Sequence, residues 1–210
     1  MTSPSPLLLD AYYHIYNRGN NRQNIFLESR NYNYFLKLYM KYIEPVADTY
    51  AYCLLRNHFH LLIRTKTTEE QEKYTLLSSN QLAPRKDGFT PLDPSHQFGC
   101  LFNAYAKAIN KAYNLTGSLF QNPFSRISVT TSSHFTRLII YIHYNPQKHR
   151  FVVNFREWPF SSYQALVSEK PTRLAREDVR EWFGNVEKLL LDHTRPHDWS
   201  GIERIVEEDI

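Results

Sequence analysis

The chain has only two cysteines in 210 residues, Cys53 and Cys100, and they form no Cys-x-x-Cys pair. This argues against a disulfide framework or a cysteine-based zinc cluster and predicts two buried free thiols in a reducing compartment. Long apolar runs are also missing. Leu7-Leu8-Leu9 is too short for a signal core or a membrane span, and no charged start precedes it. A cytoplasmic protein without membrane association is expected. A large excess of one charge sign is missing: the net charge of +4 and pI near 9.0 permit nucleic-acid binding without demanding it. Internal repeats and strongly biased tracts are absent. What is present is length for one well-packed domain plus an extension, with an ordinary apolar fraction of 42%. The 15 tyrosines and 13 phenylalanines suit strands and stacking surfaces, and a tyrosine-rich core would account for them equally well.

Periodicity predicts a strand over 11–17, followed by the polar turn Asn17-Arg18-Gly19-Asn20-Asn21. Ser29 is placed to cap a helix with Tyr32, Phe35, Leu36, Tyr39 and Ile43 on its apolar face, ending before Pro45. Strands are expected over 49–55 and 58–64, with Arg56-Asn57 in the tight connection. From Lys66 to about His96 the chain is polar and carries Pro84, Gly88, Pro91 and Pro94, which reads as a mobile excursion or a lid. A helix through Phe98, Leu101, Phe102, Tyr105, Ile109 and Tyr113 follows, then a strand from Ser118 to about Thr130. Ser132 or Ser133 can cap a last core helix that runs to Asn145-Pro146. The order β-α-β-β-α-β-α contains the split βαβ arrangement of an α+β, ferredoxin-like antiparallel sheet with helices on one face. Residues 1–150 form the expected catalytic domain. Residues 151–210, with a capped helix over 172–184, form a mainly helical C-terminal extension packed on it.

Two places carry chemistry. In a strand, positions i and i+2 share a face, so His58 and His60 point one way and Phe59 the other, their backbones about 6–7 Å apart. That suits one cation, though two surface or hydrogen-bonded histidines would show the same spacing. Tyr141 and Asn145 stand four apart on one helix face, presenting a phenol beside an amide. A core aromatic and a C-terminal cap are the plain alternative, and Pro146 disfavours helical geometry at Asn145.

Asn57-His58-Phe59-His60-Leu61-Leu62-Ile63 resembles the His-hydrophobic-His strand of the HUH single-tyrosine transposases, and Tyr141-Ile142-His143-Tyr144-Asn145-Pro146 resembles their tyrosine helix. The run from Tyr13 to Asn21, Gly117-Ser118-Leu119-Phe120-Gln121 and the Trp158–Tyr163 stretch are similar to the REP-associated tyrosine transposases in particular. The likeness spans roughly residues 11–183. One departure is visible: Gln121-Asn122-Pro123-Phe124 replaces the usual Gln-Gly-Arg-Tyr-like continuation, leaving Arg126 as the substitute for that arginine.

The resemblance implies that His58, His60 and Asn145 hold one divalent cation, Mg²⁺ or Mn²⁺, against the scissile phosphate. Tyr141 is then the nucleophile, leaving a 5′-phosphotyrosine and a free 3′-hydroxyl. The substrate class is single-stranded or hairpin DNA. Asn17, Arg18, Asn20, Asn21 and Arg22 are candidate contacts near the start, Arg126 is a further candidate, and the run Lys148-His149-Arg150 just past the tyrosine helix stays nearer the chemistry. Arg56, Arg64 and Lys66 also flank the motifs, with a solvated surface as their ordinary explanation. A monomer is expected, with a dimer possible if the extension leaves the shared surface open. Two other classes compete: a catalytically idle nucleic-acid-binding module on the same fold, and a water-using metal hydrolase in which Tyr141 is structural.

Overall fold

A computed structural model describes residues 5–79, 88–199 and 202. Its strands are β1 (Tyr12–Arg18), β2 (Ala47–Leu54), β3 (His58–Thr65) and β4 (Ser125–Ser128). They form one antiparallel sheet in the order β2-β3-β1-β4, the ferredoxin-like arrangement expected from the element order. The helices α1 (Ser29–Tyr42) and α3 (Pro94–Tyr113) cover one face. On that face Ile15, Phe59, Leu61 and Ile63 pack with Phe35, Phe98, Phe102 and Tyr105. The opposite face carries Tyr16, Ala51, Cys53 and Leu62, buried under Leu138, Ile139 and Ile142 of α4 (Ser132–Lys148). Both faces are therefore apolar, which explains why β3 is buried at every position except Arg64. Phe59 is fully enclosed between sheet and helices, so Phe59→Ala is expected to cost about 3–5 kcal/mol of stability. A urea midpoint unchanged by that substitution would contradict this packing.

Several expected boundaries move, each for an identifiable reason. The 66–96 excursion is not simply a loop: Thr68–Ser79 is a helix, α2. Thr67 and Glu70 start it by reciprocal bonds, Thr67 N donating to Glu70 Oε2 at 2.9 Å and Glu70 N to Thr67 Oγ1 at 3.2 Å. The helix has no apolar stripe, so periodicity could not find it. Buried Gln71 then pins the returning chain through both the amide and carbonyl of Leu92. Residues 80–87, which include Pro84, lie outside the described residues. The following helix begins at Pro94, earlier than the apolar pattern indicates, because Asp93 caps Ser95 N at 2.8 Å and Pro94 suits the first turn.

The expected strand over 118–130 shrinks to Ser125–Ser128, since Asn122-Pro123 interrupts the ladder. Glu28, not Ser29, caps α1, through a box closed by Asn31. The last core helix does not stop at Asn145. It runs through Pro146 to Lys148, and Phe151 N donates to the Pro146 carbonyl beyond its end.

Past residue 150 the chain forms α5 (Tyr163–Val167), α6 (Arg176–Phe183) and α7 (Val186–Asp192), so the expected 172–184 helix starts later, at Arg176. These elements add Leu166, Val179, Phe183 and Leu189 to the α4-side core. The chain also covers the β2 edge of the sheet. Leu54 N donates to Phe160 O at 2.9 Å, Ser162 N to Tyr52 O at 2.9 Å, and Trp158 Nε1 to Leu54 O at 2.9 Å. Pairing an edge in this way removes a template for strand addition. A buried chain locks the arrangement: His193 Nδ1 donates to Leu189 O, His143 Nδ1 to His193 Nε2 at 2.8 Å, and Ser162 Oγ reaches His143 Nε2 at 2.8 Å. His143 is thus turned away from Tyr141 and ties α4 to the C-terminal elements. Among the described residues, no helix is long and apolar enough to cross a membrane.

Candidate active site

The histidine pair and the tyrosine helix meet on the α4 face of the sheet. Pairing of β1 with β3 sets Arg18 opposite His58, Tyr16 opposite His60 and His14 opposite Leu62, so all share that face. His58 and His60 are 3% and 1% exposed, with ring centroids 5.2 Å apart. The Tyr141 ring stands edge-on to His60 at 5.8 Å. Lys148 Nζ lies 5.3 Å from the centre of the Tyr141 ring. Trp199 packs against Tyr141 at 5.7 Å and stacks on Tyr144 at 5.8 Å.

Asn145 follows Tyr141 by one turn inside α4, despite its neighbour Pro146. Its helical setting lets Nδ2 donate back to the Tyr141 carbonyl at 2.8 Å, which fixes the amide plane. Its Oδ1 is left buried with no hydrogen-bond partner. A buried acceptor in that condition costs about 1–3 kcal/mol, and it is the state expected of an oxygen that awaits a cation. Among the described residues, no group of three or more His, Cys, Asp or Glu converges to hold a metal. A cation here would therefore draw on two imidazoles and the Asn145 amide oxygen, with positions left for water or phosphate. That mixed, open donor set fits Mn²⁺ or Mg²⁺ better than a closed tetrahedral zinc site.

The electrostatics suit both metal and phosphate. Burial, then His149, Arg18 and Lys148, hold the His58 imidazole well below the usual histidine range. Burial, followed by His14, His58, His149 and Lys148, does the same at His60. Both rings are neutral at pH 7, as a ligand must be. Arg18 and Lys148 also bring positive charge close enough to act on His58, the sign a phosphodiester would meet favourably.

The buried imidazoles also carry an acid liability. Burial lowers His14 to about 3, and His58, His60 and His143 are likewise depressed. The unfolded chain therefore binds more protons below the unfolded histidine value of about 6.5, and native stability is lost as pH falls through that point. The loss is at most about 1.4 kcal/mol per pH unit for each histidine that stays neutral. Urea midpoints of the metal-free protein should drop steeply between pH 6.5 and pH 4. A flat profile there would contradict neutral buried rings.

Other expected contacts scatter. Asn17 is buried and faces the α1/α3 side; its Nδ2 donates to Gln121 O at 3.2 Å, and its Oδ1 accepts from Arg18 N at 2.7 Å. Asn20 Nδ2 donates to Ser118 O at 2.7 Å, so these two amides brace the 17–20 turn against the 118–121 loop. Gly19 sits between them because a Cβ there would lie 2.1 Å from Gln23 O. Asn21 and Arg22 are exposed, with φ of 52° and 58°. Arg126 pairs with Ile15 and so lies on the opposite face from the histidines, over the Phe124 ring at 3.9 Å. Arg150 is exposed just past α4. Arg64 is bound by Asp10, Asp48 and Glu70, and Lys66 by Asp48, so both are structural. Arg56 is exposed, 5.7 Å from the Phe151 ring.

Two histidines outside the expected metal set join the cluster. His149, which caps the C-terminal end of α4, lies 4.9 Å from His58. His14 hydrogen-bonds His60, Nε2 to Nδ1, at 3.1 Å. The Tyr12–Tyr16 alternation carried a signal for His14, but only the β1/β3 register reveals which histidine it meets.

The chain resembles the REP-associated tyrosine transposases in both sequence and fold. It is 28% identical over 141 residues, 66% of this chain and 68% of the other, to a Haemophilus influenzae protein described as a REP-associated tyrosine transposase. Its fold matches a REP-associated tyrosine transposase solved bound to a REP hairpin, with a TM-score of 0.60 and 17% identity over 83% of this chain and 92% of that one. No family model matches the chain.

Proposed function

We propose that the protein is a metal-dependent single-stranded DNA nuclease and strand transferase of the REP-associated tyrosine transposase type, acting on hairpin or repeat DNA. The observation that carries this reading is the buried, unpartnered Asn145 Oδ1 one helical turn from Tyr141, whose ring lies against His60. His58, His60 and Asn145 are the residues that would hold Mg²⁺ or Mn²⁺. When bound, the cation would polarise a non-bridging phosphate oxygen and offset charge developing on it.

The chain's own residues account for the rest. Arg18 and Lys148 attract the phosphodiester, Lys148 from beside the Tyr141 ring. The Tyr141 oxygen forms a bond to phosphorus while the bond from phosphorus to the 3′-oxygen breaks, and the proton lost by the phenol is balanced by one gained at the departing 3′-oxygen, which leaves as a 3′-hydroxyl. The 5′-phosphotyrosine keeps the phosphodiester's energy, so attack by another 3′-hydroxyl reseals DNA without ATP. Residues 1–150 would carry this chemistry, and the described residues beyond 150 would brace it. DNA contacts are assigned to Arg18, Asn21, Arg22, Lys148 and Arg150, with the amides of Asn17 and Asn20 shaping the turn and Arg126 serving the opposite face. The edge-covering C-terminal chain favours a monomer.

Incubating the protein with single-stranded hairpin DNA carrying a flanking strand and Mn²⁺ tests the reading. An adduct that survives SDS, and disappears with chelator, is expected. Cleavage without any adduct would favour a hydrolase, and hairpin binding with neither would favour an idle binding module.

A further inference from the structure

We propose that His14 is a positioning residue that sets which nitrogen of His60 faces the metal, an inference that rests on the metal-site reading above. The geometry is specific. His14 Nε2 lies 3.1 Å from His60 Nδ1, with the rings at 28° and their centroids 5.2 Å apart. Both residues are 1% exposed, so water cannot replace the bond. On the neighbouring ring, His58 Nδ1 lies 2.8 Å from Asn57 Oδ1. Each Nδ1 is thus engaged by the protein, and Nε2 is the nitrogen each ring has left for a cation.

A neutral imidazole carries one N–H, and only the other nitrogen can ligate. If His60 Nδ1–H donates to His14 Nε2, the His60 Nε2 lone pair is available. With the opposite polarity, His14 Nε2–H donates to His60 Nδ1, the His60 proton sits on Nε2, and ligation is blocked. Metal binding therefore requires His14 as acceptor, with its own proton on Nδ1. His14 suits that role because its ring is buried and held on β1, the strand paired with β3. Asn57 is the matching acceptor for His58, being able only to accept through Oδ1. The site would thus orient one ligand through a strand neighbour and the other through the residue before it. Neither acceptor adds a negative charge that would repel the phosphate, unlike the carboxylates that often orient metal-bound histidines.

The test reads metal affinity and tautomer as well as activity. Mn²⁺ titration followed by electron paramagnetic resonance should give a wild-type site that His60→Ala removes. His14→Leu should weaken Mn²⁺ binding about 10–100-fold. His14→Gln, whose amide oxygen can reach the Nε2 position, should stay within about threefold of wild type. Nitrogen NMR of the metal-free wild-type protein should find the His60 proton on Nδ1. That readout requires no variant to fold. A His14→Leu protein binding Mn²⁺ as tightly as wild type, or a His60 proton on Nε2, would overturn the inference while leaving the metal site intact. A wild-type protein with no His60-dependent Mn²⁺ site would remove the metal reading itself, and this inference with it.

Discussion

A Tyr141→Phe protein should bind hairpin DNA as the wild type does, within about threefold, yet form no covalent adduct. Strand cleavage should fall on the order of 10⁴-fold or more, since no other group on the helix face can take the nucleophile's place. The reasoning starts from position. Tyr141 is 2% exposed on α4, edge-on to His60, and Lys148 sits over its ring. Phe conserves the ring's volume, so packing against His60 and Trp199 is kept and stability should change by less than about 1.5 kcal/mol. The substitution therefore separates chemistry from folding. Gel assays of adduct and product, beside a binding isotherm, give the readout. Cleavage persisting near the wild-type rate would assign the reaction to activated water and make Tyr141 a core aromatic.

Asn145→Leu should separate function from stability in the opposite sense. In the metal-free protein Asn145 Oδ1 is a buried acceptor without a donor. Replacing the amide with an apolar group of similar size removes that penalty of about 1–3 kcal/mol and gives up one side-chain bond to the Tyr141 carbonyl, worth about 0.5–1.5 kcal/mol. Net stability in chelator should be unchanged or raised by about 1 kcal/mol. Metal-dependent cleavage should meanwhile fall on the order of 10²-fold or more, because the oxygen ligand is gone. Urea denaturation with chelator, beside cleavage across a Mn²⁺ series, measures both. A loss of 2–3 kcal/mol with unaltered Mn²⁺ response would make Asn145 a structural cap.

Much of this architecture was legible in the chain, and the reasons differ by element. The sheet could be read because its strands alternate or run apolar between turn residues, and α1 and α3 because their aromatic stripes are helical in period. Phe59 between two histidines told which way β3 faces. The α2 helix was hidden because Thr67 and Glu70 cap a segment with no apolar stripe, where local bonds replace periodicity. Pro146 misled in the other direction. Its ring disfavours helix at Asn145, yet the packing of α4 on the sheet carries the helix past it, and that continuation aims the Asn145 amide. His14 and Arg126 show a deeper limit. Whether a strand residue meets the site depends on pairing register, a long-range property: register brings His14 to His60 and takes Arg126 to the far face.

The most direct measurement is to digest the protein–DNA adduct and locate the modified residue by mass spectrometry. A nucleotide attached through a 5′-phosphate to Tyr141, formed only with Mn²⁺ or Mg²⁺, is the predicted result. Attachment to Tyr144 or another residue, or strand cleavage with no modified peptide, would contradict the account.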